Sequence, residues 1–200
     1  MCTLAEPEDW AFVSPLRSGA GCRTRLDPFH LHDGELRYGN VTLVVVDMQP
    51  GFRDAIDKAT LDAVERQVLL AISRNWAIVL LEFNPWRNGP TMPQLKRHLD
   101  GYERQMMRVK STDGGSYLVV EACEDFGYPM QYFRACGVYT DACVKQTVLG
   151  LSARLPSCSV RVIREACNTN YAHAGVWESF PHKDHIVVSS ELVDHVRMAA

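Results

Sequence analysis

The apolar positions along the chain alternate between two spacings. "VTLVVVD" (41–47) and "AIVLLEF" (77–83) are unbroken β-branched or aliphatic runs of strand length, the pattern of strands buried on both faces of a parallel sheet. Between them, "TLDAVERQVLLAISRN" (60–75) carries Leu61, Val64, Val68, Leu69 and Ile72 at helical spacing. The alternation continues. A short helix is predicted over 90–99, a third strand over "QMMRVK" (105–110), and a helix over 115–127 closed by Gly127. A fourth strand follows at 130–138, a helix from Thr140 to Leu155, a fifth strand at 159–165, a helix over Ala172–Phe180 and a sixth strand at 185–190.

Six strands interleaved with helices predict an α/β fold: three layers, α-β-α, around a six-stranded parallel sheet of order 3-2-1-4-5-6. The first 39 residues, punctuated by Pro7, Pro15, Gly19, Gly21 and Pro28, read as an irregular arm or lid, with residues 40–200 as the domain proper. The first strand is followed by "MQPGFRDA", which holds neither a dinucleotide fingerprint nor a Walker loop, so the sheet implies no nucleotide cofactor.

Composition narrows the class. Apolar residues make up 46% of 200 residues, enough for a sizeable core without staples. A net charge of −3 without a basic run argues against nucleic acid or anionic lipid as partner. The apolar runs are far short of a membrane span, and the N-terminus shows no secretory pattern. Seven cysteines, odd in number and without a CxxC pair, suit a reduced, cytoplasmic protein. His30 and His32 near Cys22, and His182 near His185, match no structural zinc spacing.

In an open α/β sheet, ligands bind beyond the carboxyl ends of the strands, where strand order reverses. Asp47 ends the first strand and Cys143 follows the fourth, so both fall at that crevice, and Lys110 ends the third strand at the same rim. A helix N-terminus, capped by Thr140 or Asp141, is expected to lower the Cys143 pKa from its usual 8.5 or so. Each residue also has an ordinary reading: a core cysteine, a turn-forming aspartate, a solvated lysine. Lys145 lies two positions along the helix from Cys143 and points away from it. Cys123, Cys136 and Cys158 read as core, and His173 is the one histidine placed to offer a Cys–His alternative.

Taken in order, "VVVDMQPGF", "VKSTDGGSYL" and "GVYTDACVKQT" resemble the cysteine hydrolases of the isochorismatase-like superfamily, which includes nicotinamidases and N-carbamoylsarcosine amidase. The resemblance spans about residues 40–190. It implies Cys143 as nucleophile on an amide, carbamoyl or ureide carbonyl, forming a thioester. Asp47 would be the proton carrier and Lys110 its support, with no cofactor. It also implies a cis peptide between Val138 and Tyr139, and an oxyanion hole made by the Tyr139 and Cys143 N–H groups. Homodimers or homotetramers are common in the family.

The chain departs from the nicotinamidase pattern. The stretches "GFRDAIDK" and "EFNPWRNG" lack the metal-binding histidines, so no metal is expected. Gln49, Phe52, Trp86 and Tyr139 are candidate pocket walls for a small substrate, with Phe83 and Tyr117 also near strand ends, and Arg53 or Arg87 as carboxylate partners. Two rival readings remain at this stage. One is vinyl ether hydrolysis of an isochorismate-like acid, which needs Asp47 but not Cys143. The other is a catalytically silent binding protein, whose Cys143 would show no lowered pKa.

Overall fold

A computed structural model of the protein describes residues 39–169, 173–181, 183 and 185–190. The expected arm or lid, apart from Gly39, lies outside the described residues, as do the His30–His32–Cys22 group and His182. In chain order the elements are β1 (Val41–Val46), α1 (Lys58–Ser73), β2 (Ala77–Phe83), α2 (Pro85–Asn88), α3 (Pro93–Leu99), β3 (Gln105–Lys110), α4 (Ser116–Phe126), β4 (Tyr132–Val138), α5 (Lys145–Arg154), β5 (Ser159–Asn168), α6 (His173–Glu178) and β6 (Ile186–Ser189). All six strands run parallel, in the order β3-β2-β1-β4-β5-β6. This is the predicted topology.

The centre of the sheet is the core. Every residue of β1 is buried, and β2 is buried from Ala77 to Glu82, which explains why neither strand alternates in polarity. Helices α1 and α3 pack on each other, as do α4 and α5, so both faces of the sheet are covered. Local chemistry sets the helix ends. The Asp57 carboxylate accepts hydrogen bonds from Thr60 N (3.0 Å) and Thr60 Oγ1 (2.9 Å), so α1 begins at Lys58, two residues before the predicted start at Thr60. Pro93 stands at the start of α3, and Pro85 starts the short α2, which the apolar spacing did not signal. Gly127, with φ +64°, closes α4 as expected.

Three features at the strand ends differ from the sequence reading. Asp47 lies one residue past β1 in the left-handed region (φ +52°), where aspartate is tolerated better than most residues. The segment from Thr140 is not α-helical at first: Thr140–Val144 forms a π-turn, and the α-helix follows from Lys145. Strand β5 does not stop at the charged pair Arg164–Glu165. Its pairing with β4 shifts from Ala135↔Val162 to Gly137↔Cys167, so the exposed Arg164 and Glu165 ride on a bulge and the strand resumes to Asn168.

At Gly137 β4 packs tightly against β1: its φ is +122°, and an added Cβ would lie 2.0 Å from the Val46 carbonyl oxygen. Only glycine fits beside the residue that precedes Asp47. Gly137→Ala is therefore expected to lower unfolding stability by about 3 kcal/mol or more, read as a fall in the urea midpoint at unchanged slope.

Candidate active site

Asp47 is placed by the end of the β1–β2 ladder. Its N–H donates to the Leu81 carbonyl (2.9 Å), its own carbonyl accepts from Gln49 N–H (2.8 Å), and the intervening turn drops its side chain into the protein at 1% exposure. Lys110 ends β3, two strands away, or roughly 10 Å by normal strand spacing. Its side chain crosses the end of β2 and brings Nζ to 2.7 Å from Asp47 Oδ2. It passes over the Phe83 ring, with Nζ 4.7 Å from the centroid. The ammonium also donates to the Thr112 and Asp113 carbonyls, each at 3.2 Å, so the turn after β3 curls back onto the charge. Its donors are thus shared among one carboxylate and two carbonyls, and it is wholly buried.

Cys143 comes from the strand on the other side of β1. Two wide-turn bonds define its segment: Val144 N–H to the Tyr139 carbonyl at 3.0 Å, and Lys145 N–H to the Thr140 carbonyl. Such π-turns insert an extra residue into a helix and recur at functional sites. The Val138–Tyr139 peptide is cis. The thiol is 6% exposed and stands against the Asp47 carboxylate closely enough for each group to perturb the other.

Burial pushes the Asp47 carboxyl up to about 6, against the opposing pull of Lys110 and the Cys143 thiol. Burial and the Asp47 charge push the Cys143 thiol up to about 12, with Lys110 opposing. The expected lowering of the thiol by a helix N-terminus is thus overturned at rest: desolvation and a neighbouring anion outweigh it. At neutral pH the site holds an ionised carboxylate, a buried ammonium and a protonated thiol. Lys110 Nζ stands 2.7 Å from Oδ2, and the Cys143 thiol stands beside the same carboxylate. A desolvated carboxylate beside an S–H is suited to accept its proton.

The other candidates divide. Phe52 stands edge-on to Tyr139 (5.5 Å between centroids) and to Phe83 (6.3 Å), forming an aromatic group above the strand ends. Gln49 is fully buried with its amide engaged by backbone, which removes it from the pocket walls. Trp86 is 74% exposed, and Tyr117, Arg53 and Arg87 also face solvent. Cys123, Cys136 and Cys158 are buried in the core. The His173 side chain, and with it the Cys–His alternative, lies outside the described residues. Sequence reasoning missed a polar chain behind the π-turn: Thr169 Oγ1 donates to Asp141 Oδ1 (2.5 Å), Asn168 Oδ1 accepts from Thr169 N–H (2.8 Å), and Asn168 Nδ2 donates to Thr60 Oγ1 (2.8 Å). The bulge in β5 delivers Asn168 and Thr169 there, and the charged Arg164–Glu165 pair was its one sequence signal.

Proteins of known structure share this fold. MAR1 ribonuclease from Caenorhabditis elegans superimposes with a TM-score of 0.65 at 20% identity, over 76% of this chain and 78% of its own. The Escherichia coli YcaC product, described as an octameric hydrolase of unknown specificity, gives 0.63 at 19% identity, over 78% of each chain. The nicotinamidase SaPncA from Staphylococcus aureus gives 0.62 at 15% identity, over 76% of this chain and 99% of its own. The chain has the isochorismatase-like fold. No family model and no curated protein matches its sequence.

Among the described residues no three His, Cys, Asp or Glu side chains gather as a ligand set. Among the described residues, no helix is long and apolar enough to cross a membrane.

The electrostatics give a test. Because the Asp47 charge helps hold the thiol up, Asp47→Asn is expected to lower the Cys143 pKa and speed its alkylation by iodoacetamide at pH 7, followed by mass spectrometry of the Cys143 peptide. A rate equal to or below wild type would contradict this account of the site.

Proposed function

We propose that the protein is a cysteine hydrolase that cleaves the C–N bond of a small amide, carbamoyl or ureide compound without a metal. The observation that carries this reading is the buried Lys110–Asp47 pair meeting the Cys143 thiol at the switch point of the sheet. The shared fold with a nicotinamidase and with a hydrolase of unknown specificity supports the reaction class.

The residues suggest each step. Asp47 takes the thiol proton as Cys143 Sγ attacks the substrate carbonyl carbon, so negative charge moves from the carboxylate to the carbonyl oxygen. In the resemblance described above, the Tyr139 and Cys143 N–H groups receive that oxyanion. The tetrahedral intermediate collapses, the C–N bond breaks, and Asp47 delivers its proton to the leaving nitrogen. Water, deprotonated by Asp47, then attacks the thioester carbon. The C–S bond breaks, the acid departs and the thiolate recovers its proton. Lys110 stays charged throughout, balancing whichever partner is anionic. The raised thiol suits this scheme, because the nucleophile forms only as the base removes its proton. The octameric assembly described for the E. coli relative supports a homo-oligomer here too.

The same raised thiol favours a second reading, a catalytically silent member of the fold that binds a metabolite. Turnover separates the two. With ammonia release measured across a panel of small primary amides and ureides, Cys143→Ala is expected to lose roughly 10⁴-fold or more in kcat, and Asp47→Asn about 10²–10⁴-fold with the fold retained. A Cys143→Ala variant that releases ammonia as fast as wild type would end the cysteine-hydrolase reading, and no release from any substrate would favour the silent binder.

The pH dependence follows from the base. Asp47 must be ionised to accept a proton, and its pKa lies at about 6. The kcat/KM profile should therefore rise with pH through a midpoint near that value, and a profile falling over the same range would exclude Asp47 as base.

A further inference from the structure

The side chain of Gln49 completes a ladder that its own strand abandons. The last β1–β2 backbone bond runs from Asp47 N–H to the Leu81 carbonyl; beyond it the chain turns away at the left-handed Asp47. Phe83 lies two residues further along β2, so its N–H and carbonyl face the side β1 has left. The Gln49 amide fills that gap. Its Oε1 accepts from Phe83 N–H at 2.7 Å, and its Nε2 donates to the Phe83 carbonyl at 3.2 Å and to the Gly89 carbonyl at 2.6 Å. The primary amide thus stands in for a backbone rung and ties the β2 end to the loop after α2. Asn88 Nδ2 shares the Phe83 carbonyl (2.7 Å), whereas the Phe83 N–H donates to the Gln49 side chain.

Phe83 is where this clamp meets the active site. Its ring lies under the Lys110 ammonium at 4.7 Å, and the N–H of the next residue, Asn84, donates to the Lys110 carbonyl at 3.0 Å. We propose that Gln49 is a positioning residue: by clamping the Phe83 backbone it sets the aromatic floor on which Lys110 rests, and through it the distance between the ammonium and the Asp47 carboxylate. Its effect on turnover rests on the hydrolase reading; its effect on the ion pair does not.

The charged and titratable groups acting on Asp47 are Lys110 from β3, Cys143 from the π-turn and Asp113 from the turn after β3. Lys110 is the cation among them. If it withdraws, Asp47 becomes harder to ionise. The test compares wild type with Gln49→Met, which keeps the volume and removes every hydrogen bond of the side chain, and with Phe83→Leu, which leaves the clamp and removes the floor. The Asp47 carboxyl is titrated by carbon NMR, and the pH profile of turnover is measured alongside.

The expected result for both variants is an Asp47 midpoint raised by about half a pH unit or more. The turnover limb should move with it, and kcat should fall about tenfold or more at nearly unchanged KM. A folded Gln49→Met whose Asp47 midpoint holds or falls overturns the proposal. If Gln49→Met does not fold, Phe83→Leu decides by the same titration, with an unmoved midpoint counting against it. Should wild type hydrolyse nothing, the hydrolase reading fails, while the Asp47 titration still decides the role of Gln49.

Discussion

A buried ammonium reaching across the end of a strand to a buried carboxylate is the constraint around which the rest of the site is arranged. Lys110 and Asp47 sit on strands separated by β2, and their side chains are 0% and 1% exposed. Desolvating two charges is costly, and their mutual attraction offsets that cost only where the geometry is held tightly. The structure holds it from several directions. The left-handed Asp47 turn aims the carboxylate down, the Phe83 ring lies beneath the ammonium, and two carbonyls of the following turn fold back onto it. Such a pair is poor evidence for stability. It is better understood as a device that keeps a carboxylate ionised in a dry place.

That dryness governs the thiol. In solvent, a helix N-terminus and a nearby ammonium would favour thiolate. In this site burial and the adjacent carboxylate act against it, and the sulfur rests protonated. Under the proposed hydrolase reading, the thiolate would exist only while Asp47 holds its proton. The π-turn and the polar chain through Asp141, Thr169 and Asn168 tie the cysteine segment to the end of β5 and the start of α1. Both sides of the site therefore hang on the sheet and not on free loops, which suits geometry that must be kept to fractions of an ångström.

Much of this was legible in the chain. The apolar runs at 41–46 and 77–83 named their strands nearly to the residue, because a strand buried on both faces reads as a near-continuous apolar run. Strand order agreed with the commonest one for alternating strands and helices, and with it came the meeting of Asp47, Lys110 and Cys143 at one rim. The errors cluster where side chains replace backbone. Gln49 read as a pocket wall because its position near a strand end says nothing of the unpaired Phe83 backbone awaiting it. Strand β5 appeared to stop at Arg164–Glu165 because a bulge turns two charges outward while the backbone path continues. The π-turn has no periodicity of its own in five residues.

Sequence alone determined the residue types at the rim, the topology that gathers them, and the lack of histidines after the first two strands; these depend on local pattern and on the short, right-handed connections of parallel sheets. Tertiary structure decided the protonation of the thiol, the cage around Lys110 and the work of the Gln49 amide. These are matters of desolvation and of distances between segments tens of residues apart, and no local pattern encodes how much water a group has lost or which distant carbonyl will face it.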